Sequence, residues 1–114
     1  MNNKLMVFLL NKELFEIDKY RYELENFDLT NIKYEIHDLQ EVINKKRIFD
    51  IDLNTIQNKN IKKFNDYNEW KKYIETLFTK YGRNNLAFKN QIIPTNLNSF
   101  LINYFIKKKI KINI

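Results

Sequence analysis

The sequence predicts a three-layer α/β sandwich built on a mostly parallel, Rossmann-like sheet of about four to five strands, ordered 2-1-3-4 with strands numbered along the chain. Three observations lead there. Lys4–Leu10 (KLMVFLL) is an unbroken apolar run of strand length, the pattern of a strand covered on both faces. Ile17, Tyr20, Leu24 and Phe27, and later Trp70, Ile74, Leu77 and Tyr81, recur at helical spacing. Short strand-like stretches stand between and after these helices, and strands that alternate with helices pair in parallel.

The first strand is followed by the loop Asn11–Glu16 and a helix over roughly 17–27, with Asp18 placed to favour its first turn. Ile32, Tyr34 and Ile36 alternate with Lys33 and Glu35, which describes a strand closing at His37-Asp38. These pieces make a βαβ unit. Val42 and Ile43 suit a short helical turn. Arg47–Leu53 (RIFDIDL) alternates like a peripheral strand, and a polar stretch, Asn54–Asn60, follows. Asp66, with Glu69 three residues later, has the spacing of a capping box. The only Gly, Gly82, stands at the C-cap, so the spacing predicts a helix over about 66–81. Asn85–Ile93 reads as a strand stopped by Pro94. Thr95 or Asn96 can cap a helix carrying Leu97, Phe100, Leu101, Tyr104 and Phe105. Ile110, Ile112 and Ile114 alternate in a last strand. No internal repeat or Gly/Ser/Pro linker divides the chain, so residues 1–114 are expected to form a single Rossmann-like domain.

Composition excludes more than it assigns. At 114 residues, with 44% hydrophobic side chains, seven Tyr and nine Phe, the chain can bury a core. It has no Cys and one His, which removes disulfides, thiolate metal sites and thiol nucleophiles. The charge is uneven: residues 1–53 carry 8 basic and 11 acidic side chains, and residues 54–114 carry 12 basic and 3 acidic. Yet 17 Lys, 18 Asn and 16 Ile together indicate a drift toward residues with A/T-rich codons, and Arg, the residue suited to phosphate and base forks, occurs only three times. Nucleic acid is therefore not the expected partner. No segment has the make-up of a signal peptide, and the longest apolar stretch, Leu97–Ile106, is too short to span a bilayer. A cytoplasmic location is the expectation. The lysines flanking the helix at 96–106 allow peripheral contact at the inner membrane face.

The turn between the first strand and helix has no Gly and carries Glu13 and Glu16, so it does not suit a phosphate cradle, and no cofactor is expected. Asp50-Ile51-Asp52 has the Asp-x-Asp spacing with which many sugar-nucleotide transferases hold a divalent cation, but alternation with Phe49, Ile51 and Leu53 explains it as a strand with one wet face; no metal site is assigned. His37-Asp38 falls where the second strand ends, on the edge where open parallel sheets bind ligands. His37 is the general-base candidate, and Asp38 can orient it or bond a hydroxyl; the alternative, favoured because no Ser, Cys or second His completes a nucleophilic constellation, is a turn or helix cap at Asp38 and a half-buried His37. Loop 11–16, His37-Asp38 and Pro94–Asn96 are expected to meet on that edge.

The stretch Lys4–Leu39 (KLMVFLLNKELFEIDKYRYELENFDLTNIKYEIHDL), with Phe15-Glu16, Lys19-Tyr20-Arg21 and His37-Asp38-Leu39, resembles the N-terminal segment of bacterial surface-carbohydrate biosynthesis proteins of the two-lobed (GT-B-type) glycosyltransferase kind. Phe88–Phe105, with Ile93-Pro94 before an Asn-rich helix start, is similar to that family's next strand–helix pair. The resemblance implies a glycosyltransferase-like domain in surface polysaccharide assembly, equivalent to part of the N-terminal lobe and incomplete as a catalyst. It also implies a carbohydrate or lipid-linked acceptor and a second chain to supply the donor-binding lobe. Glu13, Glu16, Arg21, His37 and Asp38 then line the carboxyl edge, with Thr95 and Asn96 joining them to bind the acceptor. The alternative is a non-enzymatic module whose basic C-terminal half docks a partner protein or nucleic acid.

Overall fold

In a computed structural model of the protein, residues 4–44, 57–90, 92, 99–108 and 112–113 are described. Five strands, β1 (Leu5–Leu10), β2 (Lys33–Asp38), β3 (Ile61–Lys63), β4 (Leu86–Asn90) and β5 (Ile112–Asn113), form one all-parallel sheet in the order β3-β2-β1-β4-β5. Between them run α1 (Glu16–Arg21), α2 (Leu24–Thr30), α3 (Gln40–Asn44), α4 (Tyr67–Tyr81) and α5 (Ser99–Lys107). The α/β class and the parallel sheet are as the sequence predicts. The strand order differs, running 3-2-1-4-5 rather than 2-1-3-4, because an additional short strand, β3, joins the outer edge of β2. Ile61 pairs with Ile36 there, but the polar lead-in Asn58–Asn60 and only three paired residues leave no strand signature in the sequence. The peripheral strand expected at Arg47–Leu53 lies outside the described residues.

β1 is central and pairs with β2 and β4 along most of its length. Leu5, Val7 and Leu9 face one side, against α3, α4 and α5; Phe8 and Leu10 face the other, against α1 and α2. That two-sided burial is why the strand shows no alternation.

The first helix differs from its predicted form. It is two short helices, broken where Glu23 takes a left-handed conformation at φ 54°. The break resets the periodicity, so Leu14, Asp18, Tyr22 and Leu24 turn inward, while Ile17 and Tyr20, expected on the apolar stripe, are 54% and 67% exposed. Asn31, also left-handed at φ 58°, ends α2, a place that Asn tolerates better than most residues.

α4 agrees closely with its sequence. Asp66 Oδ1 accepts from Glu69 N at 2.8 Å, Glu69 Oε2 accepts from Asn65 N at 3.0 Å, and Trp70, Ile74 and Leu77 are buried. Gly82 stops it with φ 78°, a backbone angle that side chains oppose. β4 is described to Asn90, whose side chain bonds the backbone of Ile92: its Oδ1 accepts from Ile92 N at 2.9 Å and its Nδ2 donates to Ile92 O at 3.1 Å, while residues 91 and 93 of the expected strand lie outside the described residues.

Candidate functional site

In an open parallel sheet the loops after the strands gather on the carboxyl edge, and there the structure joins two predicted residues through one that was not predicted. β2 ends at Asp38, whose Oδ1 accepts from Gln40 N at 3.1 Å as the chain turns into α3. The turn brings the Gln40 amide back over the edge. Its Nε2 lies 3.2 Å from both Asp38 oxygens and 3.2 Å from Glu13 Oε1, on the loop after β1. Gln40 and Asp38 are buried and Glu13 is half-buried. The result is a pair of carboxylates from neighbouring loops, tied by one amide. Carboxylates of this kind accept hydrogen bonds from hydroxyl groups.

The rest of the first loop is internally occupied. Lys12 Nζ bonds Asp18 Oδ2 and, at 3.2 Å, the carbonyl of Glu13, and it lies 4.4 Å from the centre of the Phe15 ring. Asp18 also accepts from Phe15 N at 2.8 Å. With its one ammonium held this way, and with no Gly, the loop is poorly suited to an incoming diphosphate. Glu16 opens α1. Arg21 ends it, with its guanidinium 3.9 Å from Asp18 Oδ1 and directed at its own helix. Thr95, Asn96 and Pro94 lie outside the described residues, as do Asp50 and Asp52.

His37 occupies a different place from the one its chain position suggests. Its side chain points to the α4 face of the sheet, is 0% exposed and sits against the rings of Phe64 and Tyr73. Nδ1 accepts the indole N–H of Trp70 at 3.1 Å, which fixes the proton of a neutral ring on Nε2, and Nε2 donates to Glu35 Oε1 at 3.0 Å. Burial lowers the imidazole pKa below 6.5, and the neighbouring Glu35 carboxylate only partly offsets this. Both nitrogens are engaged and no water reaches the ring, so His37 as placed does not serve an acceptor as a base. The physical reason is the pleat: residues 37 and 38 project to opposite faces, and the large residues of α4 cover the face of residue 37.

Glu35 closes this chain of contacts. Tyr73 donates its hydroxyl to the carboxylate at 2.8 Å. Burial pushes the Glu35 carboxyl up, but the bonds from His37 and Tyr73 and the charge of Lys62 outweigh it and hold the group below its ordinary value of 4.5. The Tyr73 hydroxyl is correspondingly pushed up by burial and by Glu35.

Glu35 also reaches a groove of about 790 Å3 at the opposite, amino-terminal edge of the strands. The groove is bounded by the entries to β1, β2 and β3 and by Tyr81 at the end of α4, and its wall carries Asp28, Lys33, Lys59 and Lys62. It lies across the sheet from the edge that the sequence pointed to.

No family model, curated protein or solved structure matches the chain. Its functional reading therefore rests on this geometry. Among the described residues, no cluster of three or more His, Asp or Glu side chains is placed to hold a metal ion, and no helix is long and apolar enough to cross a membrane. Gln40 and Glu35 are the two site residues that the sequence reading missed. Gln40 two places after Asp38 has the spacing of a side-chain turn, which was a usable signal. Glu35 gave none, since it reads as the solvated half of an alternating strand.

Proposed function

We propose that the protein is a glycosyltransferase-like domain of surface polysaccharide assembly, binding the acceptor sugar at the carboxyl edge of its sheet and incomplete as a catalyst by itself. The observation that carries this reading is the Glu13–Gln40–Asp38 cluster, in which one amide holds two carboxylates across the ends of β1 and β2. The half-buried Glu13 is the acceptor that a sugar hydroxyl reaches, held in place by Gln40 and, behind it, by the buried Asp38, and a cluster fixed before binding loses little entropy when the ligand arrives. The resemblance of Lys4–Leu39 to the N-terminal segment of two-lobed transferases supplies the carbohydrate context. The occupied loop after β1 supports the incompleteness, because donor phosphates find neither glycines nor an available ammonium there.

In this reading the acceptor is a carbohydrate or a lipid-linked carbohydrate, a second chain provides the donor lobe, and the domain works in the cytoplasm, at or near the inner membrane face. His37 acts from behind, as a structural group. The test pairs binding with turnover. The purified chain is expected to bind a neutral disaccharide such as cellobiose weakly, with Asp38→Asn weakening it several-fold, and to transfer no sugar from a nucleotide donor. Transfer without a second chain contradicts the incompleteness, and binding untouched by Asp38→Asn contradicts the site.

A further inference from the structure

The amino-edge groove is chemically unlike the carboxyl edge. Lys33 and Lys59 form no ion pair or hydrogen bond within the described protein, and both are exposed on the groove wall. Lys62 adds a third ammonium, close enough to Glu35 to lower its pKa. Against these three cations stand two carboxylates. Asp28 is exposed and has no partner among the described residues, whereas Glu35 is half-buried and held rigid by His37 and Tyr73. Asn58 is fixed as well: its Nδ2 donates to Tyr34 Oη at 3.1 Å and its Oδ1 accepts from Asn60 N at 2.8 Å. Tyr34 thereby keeps its own hydroxyl hydrogen for another acceptor.

A lining of this composition discriminates among ligands. A polyphosphate chain is disfavoured, because Asp28 and Glu35 would repel successive phosphates. A bare cation meets three ammoniums. A neutral ligand leaves Lys33 and Lys59 unused. What satisfies both signs is a small molecule with one anionic group for the lysines and hydroxyls for the carboxylates and the fixed amide.

We propose that the amino-edge groove is a second binding site, taking a small polyhydroxylated ligand with a single phosphate or carboxylate, its anion on Lys33 and Lys59 and its hydroxyls on Asp28 and Glu35. The site is separate from the carboxyl-edge cluster and does not depend on it. Glu35 is the rigid part of the groove: its carboxylate is aimed before the ligand arrives, because the imidazole of His37 and the phenol of Tyr73 fix both its position and its charge. This also gives the buried polar chain a use at the surface, since Trp70 orients His37 and His37 orients Glu35.

The test is a titration of the 15N-labelled full chain followed by amide shifts, with glucose 6-phosphate, inorganic phosphate and glucose as separate arms and glucuronate as the carboxylate counterpart. Glucose 6-phosphate or glucuronate is expected to move the amides of Lys33, Asn58, Lys59 and Lys62, and to bind at least about tenfold tighter than inorganic phosphate or glucose. The double variant Lys33→Ala/Lys59→Ala should weaken that binding at least about tenfold, and Asp28→Asn several-fold; both changes are at exposed positions and leave the core intact. Tighter binding of glucose 6-phosphate assigns a phosphate to the anion, and tighter binding of glucuronate a carboxylate. Absence of shifts in the groove, or inorganic phosphate binding as tightly as the sugar phosphate, overturns the proposal. Neither result bears on the carboxyl edge, whose cellobiose binding is read at Glu13 and Gln40.

Discussion

The indole N–H of Trp70 donates to Nδ1 of His37 across 3.1 Å, linking the first turns of α4 to the end of β2 where neither side chain reaches water. The bond does two things. It satisfies the one polar atom of a residue otherwise surrounded by Tyr67, Tyr104 and Phe105, and it selects the tautomer that lets His37 donate to Glu35. Core packing and the orientation of a groove carboxylate are thus coupled through a single ring.

Replacing Trp70 separates the two contributions. Trp70→Ala should cost about 3–5 kcal/mol, the scale for emptying a buried aromatic site. Trp70→Phe retains much of the packing but leaves Nδ1 of His37 without a donor, so it should cost about 1–3 kcal/mol. Chemical denaturation of the two variants checks this. Equal losses would mean that the hydrogen bond contributes nothing.

Stability should fall as pH drops below about 6.5. His37 is the only histidine in the chain, and burial lowers its pKa in the folded state, so between the folded value and 6.5 the unfolded chain binds a proton that the folded chain does not. Below 4.5 a second loss begins, as protonation of Glu35 removes the acceptor of the His37 and Tyr73 bonds. Denaturation midpoints at pH 7.5, 6 and 5 should decline, and His37→Gln should flatten that decline. A midpoint independent of pH over this range would contradict a buried, neutral His37.

Glu23 offers a gain. A side chain at φ 54° is strained, and at this exposed position Glu23→Gly should raise stability by roughly 0.5–1 kcal/mol, the relief of left-handed strain less the extra freedom of the unfolded chain. Thermal unfolding measures it. A lower Tm for the variant would place the value of Glu23 in its side chain rather than in its backbone.

What the sequence disclosed follows from where the determining interactions lie. β1 and α4 were legible because their signals are local: an apolar run in the first, and a cap, a stripe and a terminating glycine in the second. The break at Glu23 was not, since a glutamate at positive φ carries no turn signature and is held there by Tyr22 and Leu24 packing inward on either side. β3 escaped because a three-residue strand shows too little alternation to distinguish it from loop. That Glu13 and Asp38 share the carboxyl edge was legible from the strand ends. That His37 is fully rather than half buried required knowing that α4 would lie over it, and the amino-edge groove draws on β2, β3, α2 and α4, which only the tertiary structure assembles.

The central claim is that the carboxyl-edge cluster of Glu13, Gln40 and Asp38 binds a sugar. The most direct measurement is an amide-shift titration of the 15N-labelled chain with cellobiose, repeated on Glu13→Gln and on Gln40→Ala. Saturable shifts are expected, centred on Glu13 and on Asp38 to Gln40 and reduced several-fold in both variants while the rest of the spectrum stays that of the folded protein. Shifts that never saturate, or that fall elsewhere on the sheet and survive both substitutions, would contradict it.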